Sequence, residues 1–270
     1  LGMLAGETIN LTWFQQLPDN FEGDYYLLVE ITHLTRATQP AVEEVDLTPI
    51  FTLASQGKGR TDLMYTDLQS GSTEAERPSI SKDGTIIVYE KTDPQGLQQI
   101  YLIDRKQAVV QPMLVSKSFQ STSTQDIPGN NHSYRPMISA DGKKVTFHSQ
   151  ASNLSLGDTN EKEDVFLYDL ALNTMIRPLN SSFQQLNGRS LYPSINGDGS
   201  KIVFESDSSN LVEALQPYSQ IFLWSIDSNG TSKVSTLTNG NGNSYNPSID
   251  ESGNRIVFDS YATNLLDGSL

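Results

Sequence analysis

The segment GDTNEKED, residues 157–164, places several oxygen-bearing side chains close together. Asp158, Asn160, Glu161 and Asp164 fall within seven residues, and carboxylate and amide oxygens are the ligands that Ca²⁺ prefers. However, Lys162 stands where a calcium loop needs a further oxygen, and the equivalent loop of the next repeat, VEALQPYSQ, lacks these groups. The segment is therefore a candidate calcium site, the alternative being a turn whose side chains hydrogen-bond its own backbone.

Other patterns that carry chemistry are missing from the sequence. There is no cysteine, which excludes a disulfide framework, a thiolate metal site and a cysteine nucleophile. His33, His132 and His148 show none of the spacings of zinc sites, and there is no G-x-S-x-G motif. The sequence therefore predicts a protein that is not an enzyme and that needs no cofactor other than the candidate calcium.

Four prolines head four copies of one sequence pattern. They are 58, 57 and 54 residues apart, at Pro78, Pro136, Pro193 and Pro247, and this period suits a β-propeller blade. Each copy continues with Asp-Gly, or Ser-Gly in the last copy, and then with an alternating strand: IIVYE, VTFHS, IVFES or IVFDS. Proline fits the start of a strand because it has no N–H, and Asp-Gly supplies the positive φ angle of a tight hairpin.

Two further strands are predicted in each complete copy. Third strands are expected at residues 99–104, 164–169 and 220–226, and less regular fourth strands follow them. Each unit is thus predicted to be a four-stranded antiparallel sheet. In the second strand, His148 shares a polar column with Glu90, Glu205 and Asp259, which predicts a solvated position at the strand end.

The repeated pattern P-x-I-S-x-D-G-x-x-x-x-F followed by D-V-F-L-Y-D resembles the WD40-like (PD40) repeats of TolB-like β-propellers. This resemblance covers residues 48–270 and implies an all-β propeller, with three complete blades and partial blades at residues 50–68 and from Tyr245 onward. Either residues 50–68 complete the last blade, or the propeller is truncated at its C terminus; we favour truncation. TolB-like blades also resemble the propellers that gate prolyl-oligopeptidase-type enzymes, so a propeller portion of a larger enzyme is the alternative function.

The residues just before the four prolines are candidates for partner binding. In a propeller they lie where the innermost strands enter, around the rim of the central channel. Arg and Tyr are enriched at protein-binding hot spots. The alternative is that the tyrosines pack between blades and the arginines neutralise nearby carboxylates. We predict that a protein or glycan binds at this rim, through Arg77, Tyr134, Arg135, Tyr192, Tyr245 and Asn246.

Residues 1–47 lack the repeat and form a separate predicted domain. Their G-E-x-x-x-L-x-W, L-P and G-D-Y-Y-L-L-V segments resemble the C-terminal half of CARDB-type, Ig-like adhesion modules. Half a sandwich cannot bury its own inner face, so this resemblance implies completion by preceding residues or by another copy. Residues 48–270 are the predicted propeller domain.

Composition restricts the partners and the location. The net charge of −14 comes without any Lys/Arg run, so nucleic acid is a poor partner. No apolar run approaches the roughly 20 residues that cross a bilayer, so membrane insertion is not expected. Acidic, Asn-rich and Ser-rich surfaces are common in extracellular bacterial proteins. The sequence thus predicts an extracellular or cell-surface bacterial binding or scaffold protein, with the periplasm as the alternative location.

Overall fold

The computed structural model describes residues 75–107, 111–211 and 218–265, together with the backbone of three short strands nearer the N terminus. Those strands form a three-stranded antiparallel sheet: β1 (Tyr26–Val29), β2 (Thr52–Ser55) and β3 (Thr61–Leu63). The pairing of β1 with β2 joins residues on both sides of the predicted boundary at residue 47. The remainder of the predicted Ig-like segment lies outside the described residues, so that domain division stays a prediction.

Three complete four-stranded sheets and one two-stranded sheet follow along the chain. Blade 1 consists of β4 (Ala75–Ile80), β5 (Ile86–Thr92), β6 (Gln98–Asp104) and β7 (Met113–Leu114). Blade 2 consists of β8 (Ser133–Ile138), β9 (Lys144–Ser149), β10 (Asp164–Asp169) and β11 (Thr174–Ile176). Blade 3 consists of β12 (Ser190–Ile195), β13 (Lys201–Ser206), β14 (Gln220–Ile226) and β15 (Ser232–Thr236). Blade 4 consists of β16 (Ser244–Ile249) and β17 (Ile256–Ser260).

Every pairing within the blades joins consecutive antiparallel strands, so each blade is a simple meander. The third and fourth strands predicted from the repeats are confirmed in blades 1, 2 and 3. The fold class predicted from the sequence, an all-β protein with four-stranded antiparallel blades, is therefore confirmed.

The core lies between the flat faces of neighbouring blades. Side chains of a strand alternate between its two faces, and both faces of β5, β9 and β13 are buried. Val88 of blade 1 packs in one cluster with Phe147 and Phe166 of blade 2. Val165 on the opposite face of blade 2 packs with Phe204 of blade 3. Each blade is thus stabilised by apolar contact with the next one.

The hairpin between the first two strands also ties neighbouring blades together. The predicted turn glycines, such as Gly84 and Gly142, have φ angles of 70° and 72°, which a residue with a side chain adopts only at a cost. Backbone hydrogen bonds then run between turns of successive blades, from Lys82 N–H to Ala140 O at 2.9 Å and from Asp141 N–H to Gly197 O at 3.0 Å. These bonds fix the position of the inner strands from one blade to the next.

Candidate binding site at the inner strands

The residue before each blade-opening proline has a left-handed backbone. The φ angles are 46° at Arg77, 53° at Arg135, 50° at Tyr192 and 51° at Asn246. Non-glycine residues adopt such angles uncommonly, and they cluster at functional sites.

A bulge in the strand pairing causes this conformation. In blade 1, Glu76 pairs with Glu90 and Ser79 pairs with Val88, so Arg77 and Pro78 together oppose one residue of β5. The same register shift occurs in blades 2, 3 and 4. A bulge re-aims a side chain relative to the regular strand, and here it recurs at the same position in every blade.

The bulges of all four blades meet at one cavity of about 520 Å³, which we call the rim cavity. Each blade contributes the residue before the proline, the proline itself and the residue after it. The lining consists of Arg77, Pro78, Ser79, Arg135, Pro136, Met137, Tyr192, Pro193, Ser194, Asn246, Pro247 and Ser248. Convergence of equivalent positions from successive blades is the arrangement expected around a propeller axis.

Four of the six predicted rim residues therefore come together, namely Arg77, Arg135, Tyr192 and Asn246. The other two, Tyr134 and Tyr245, do not line the cavity. The Tyr134 ring lies between the rings of His132 and His148, with centroids 5.6 Å and 5.8 Å away. The Tyr245 ring contacts Tyr261 at 6.2 Å. Both tyrosines thus contact rings of their own blade, and the binding role of the lining residues stays a prediction.

The two arginines of the rim cavity have different partners. Arg77 Nη1 lies 2.7 Å from Glu90 Oε2 and 3.4 Å from Glu76 Oε2. The Arg135 guanidinium instead lies over the Tyr192 ring, 4.5 Å from its centroid, and forms no ion pair with the described part of the chain. One arginine is thus neutralised by carboxylates, while the other is held by an aromatic face.

Buried carboxylates of the second strands hold the rim residues of the next blade. Glu90 of blade 1 accepts the Arg135 N–H at 2.5 Å, and Glu205 of blade 3 accepts the Asn246 N–H at 3.2 Å. Burial raises the pKa of Glu90, and burial raises the pKa of Glu205 to about 7. These hydrogen bonds fix the backbone at the bulge, and no feature of the sequence alone pointed to them.

His148 takes the equivalent place in blade 2, and the prediction that it is solvated is wrong. The side chain is buried, because the next blade covers this strand position, and its ring centroid lies 5.6 Å from that of Tyr192. Burial, together with the charges of Arg135 and Arg77, lowers the pKa of His148 to about 3. The imidazole is therefore neutral near pH 7.

Two of the four candidate calcium residues flank an arginine. Arg177 Nη1 lies 3.0 Å from Asp164 Oδ2 and 3.2 Å from Asp158 Oδ1, and all three side chains are buried. Asn160 donates to Leu186 O and accepts the Lys162 N–H at 2.9 Å. In contrast, Glu161 is an exposed residue with a φ angle of 55°.

The guanidinium thus supplies the positive charge that a metal ion would supply. Burial is the main cause that raises the pKa of Asp164 to about 6, with the Asp158 charge adding to it. Within the described ranges, no group of three or more His, Asp or Glu side chains is arranged to hold a metal ion. The calcium site stays a prediction from the sequence, and the geometry favours its alternative, a polar turn with internal partners.

The fold and the rim cavity together define an all-β protein of the propeller type. The chain is similar to TolB from Acinetobacter baumannii, with 18% identity and a TM-score of 0.46, over 80% of this chain and 45% of that one. It is also similar to a putative TolB from Agrobacterium tumefaciens, with 20% identity and a TM-score of 0.48, over 81% and 65% of the two chains. A third similar structure is an oligogalacturonate lyase from Vibrio parahaemolyticus, with 14% identity and a TM-score of 0.45, over 75% of this chain and 51% of that one.

The chain thus spans between 45% and 65% of the length of these three structures. No protein-family model matches the sequence, and no curated protein matches it. Among the residues that the structure describes, no helix has the length and apolar character needed to cross a bilayer.

Proposed function

We propose that this chain is a non-catalytic bacterial binding or scaffold protein that captures a protein partner at the rim cavity, with a glycan as the alternative ligand. The observation that carries the proposal is the convergence of four equivalent bulges on one cavity. The bulges aim arginine, tyrosine and asparagine side chains at the same space, and these residue types form adaptable contacts at protein interfaces.

The rigidity of the lining supports a binding role. The residues of the rim cavity belong to strands, and in blades 2 and 4 the backbone of that strand is held by hydrogen bonds from the preceding blade. In addition to the bonds at Glu90 and Glu205, Ser79 Oγ accepts the Ile138 N–H, and Ser194 Oγ accepts the Ile249 N–H, both at 3.2 Å. A pre-organised surface loses little conformational entropy when it binds a partner.

We place this function outside the cytoplasm, at the cell surface or in the extracellular medium, with the periplasm as the alternative. The acidic, Asn-rich and Ser-rich composition, with a net charge of −14, supports this placement because such surfaces are common in extracellular bacterial proteins. Self-assembly through the predicted Ig-like segment would make the chain a subunit of a larger assembly.

Capture experiments with matched variants test the proposal. The chain is immobilised and exposed to the extracellular fraction of the native organism, beside two variants. The first variant combines Arg135→Ala with Ser248→Ala, which removes two exposed side chains of the rim cavity. The second is Arg255→Ala, which removes an exposed arginine outside that cavity. We expect the rim variant to lose the captured protein and the control variant to retain it.

Equal capture by the two variants would contradict the proposal, provided that their melting temperatures match that of the parent chain. The alternative function, a propeller portion of a larger enzyme, has its own test in the parent reading frame. A hydrolase domain following residue 270 would favour the enzyme, whereas further propeller or CARDB repeats would favour the scaffold.

A further inference from the structure

The four residues that the bulges aim into the rim cavity differ in how their polar groups are satisfied. Arg77 is paired with Glu90 in its own blade. Asn246 Nδ2 donates to Asp259 Oδ2 at 3.1 Å, again within one blade. Arg135 is exposed and, in the described ranges, has no carboxylate within ion-pair distance. Among the described residues, Arg135 is therefore the arginine of the rim cavity whose charge no carboxylate pairs with.

A single residue difference between blades explains this unpaired charge. In blades 1 and 4 the partner of the rim residue lies 13 positions further along the chain, in the pairs Arg77–Glu90 and Asn246–Asp259. The residue 13 positions after Arg135 is His148, a neutral imidazole that cannot pair with a guanidinium. Blade 2 thus keeps the arginine of blade 1 but replaces its counter-ion.

The surroundings hold the Arg135 guanidinium in a defined place. Its Cζ lies 4.5 Å from the centre of the Tyr192 ring, and within the described ranges its N–H groups donate no hydrogen bond, so they can serve a ligand. Burial raises the pKa of Glu205 and the charge of Arg135 opposes that rise, but the two side chains form no ion pair. A planar fork fixed in this way matches the two oxygens of a carboxylate.

Neighbouring hydroxyl groups add hydrogen-bond donors to the same cavity. The Ser79 and Ser194 oxygens already accept backbone N–H groups, so each hydroxyl proton can point toward a ligand. Ser248 is exposed in the lining. Four prolines and Met137 supply an apolar floor. The cavity thus combines donors for an anionic group with a surface for apolar side chains.

We infer that the rim cavity binds a carboxylate of a peptide segment, with the Arg135 guanidinium as its partner; this inference rests on the proposed binding function. The carboxylate is either an Asp or Glu side chain or the C-terminal group of the partner. A peptide fits better than a glycan, because the one aromatic ring of the lining, Tyr192, is covered by Arg135 and offers no platform for a sugar.

The net charge of −14 opposes the binding of anions by the chain as a whole. Affinity for a carboxylate must therefore come from the local arrangement at Arg135.

A peptide array tests the inference, with blocked pentapeptides in pairs that differ only by Glu or Gln at the centre. A third form of each sequence carries Gln and a free C-terminal carboxylate. The full chain is compared with its Arg135→Gln and Arg255→Gln variants.

For the parent chain and Arg255→Gln, we expect the best peptides with a carboxylate to bind on the order of tenfold more tightly than their amide twins. For Arg135→Gln, this preference should disappear while the melting temperature stays unchanged. Added NaCl should reduce the preference, because salt screens exposed charges. The stronger of the two carboxylate forms identifies the source of the group.

Three results would each overturn the inference. They are equal binding of the acidic and amide twins by the parent chain, an acidic preference that persists in Arg135→Gln, and absence of binding to every peptide. In each case, partner capture that still depends on Arg135 and Ser248 would leave the proposed function standing. Loss of that dependence would remove the proposed function itself.

Discussion

The carboxylate of Glu205 in blade 3 accepts a hydrogen bond from the backbone N–H of Asn246 in blade 4, at 3.2 Å. The equivalent contact joins Glu90 to Arg135 between blades 1 and 2. Between blades 2 and 3, His148 contacts the ring of Tyr192 at the same position. The same position is thus a carboxylate at two of these blade interfaces and an imidazole at the third. Substitutions at each position can measure its contribution separately.

Glu205 should make the stability of the protein depend on pH. Burial raises its pKa to about 7, from an ordinary value of 4.5. The folded state therefore holds this proton more tightly than the unfolded state. The resulting stabilisation is fully present below pH 4.5 and is lost as the pH rises through 7. At about 1.4 kcal/mol per pKa unit, the free energy of unfolding should fall on the order of 3 kcal/mol across this window.

The Glu205→Gln variant isolates this effect, because an amide oxygen still accepts the Asn246 N–H but does not titrate. Thermal denaturation at pH 5 and pH 8 should show a smaller pH difference for the variant than for the parent chain. Glu251→Gln, which changes an exposed carboxylate, serves as the control and should behave like the parent. An unaltered pH difference in Glu205→Gln would refute the assignment.

Arg177 should be essential for the stability of blade 2. Replacing it with methionine leaves the buried carboxylates of Asp158 and Asp164 without their cation, and breaking a buried pair costs about 3–5 kcal/mol. The control is Arg189→Met, since Arg189 pairs with Asp207 at 3.3 Å on the surface. An exposed pair of this kind contributes roughly 0–1 kcal/mol. Urea denaturation should separate the two variants, and similar midpoints would contradict the burial argument.

Calcium should not stabilise the parent chain while Arg177 occupies the space between the two carboxylates. The melting temperature is therefore expected to be the same with EDTA and with millimolar CaCl₂. A ligand present at about 100 times its Kd would add about 2.7 kcal/mol to the free energy of unfolding, so a bound ion would be seen readily. A rise in melting temperature with CaCl₂ would restore the calcium site predicted from the loop sequence.

Two equivalent valines should respond differently to the same substitution. Val203 in β13 is 0% exposed, whereas Val257 in β17 is 66% exposed. Replacing valine with threonine introduces a hydroxyl group at nearly constant volume. At Val203 the hydroxyl would lose water, at a cost of about 1–3 kcal/mol, while at Val257 the change should stay within about 0.5 kcal/mol. Equal losses in the free energy of unfolding for the two variants, measured by urea denaturation, would show that β17 is covered in solution.

The strands of the blades could be predicted because their signals are local. Proline, Asp-Gly and the alternation of apolar residues each act within a few residues, and β10 and β14 have the predicted bounds. The bulge at each proline could not be predicted, because it appears only in the register between two strands. Similarly, a polar residue in an alternating strand indicates the solvent side, but at His148 the next blade covers that side.

The sequence contains a signal that Arg77 has a carboxylate partner in its own blade and Arg135 does not. The polar column of the second strands contains three acids and one histidine, which marks blade 2 as the exception. Interpreting that exception requires knowing that the column faces the rim residue of its own blade. This contact joins positions 13 residues apart on paired strands, and no helical or strand period relates them.

Replacing His148 with glutamate should close the carboxylate site without removing Arg135. The new side chain would give Arg135 the partner that Glu90 gives Arg77 at 2.7 Å, and it could accept the Tyr192 N–H, as Glu90 accepts that of Arg135. The carboxylate preference in the peptide array should fall on the order of tenfold, because the guanidinium is then paired within the protein. His148→Gln, which adds no charge, should retain the preference, and the melting temperatures of both variants check that they fold. If both variants kept the preference of the parent chain, Arg135 would not be the group that recognises the carboxylate.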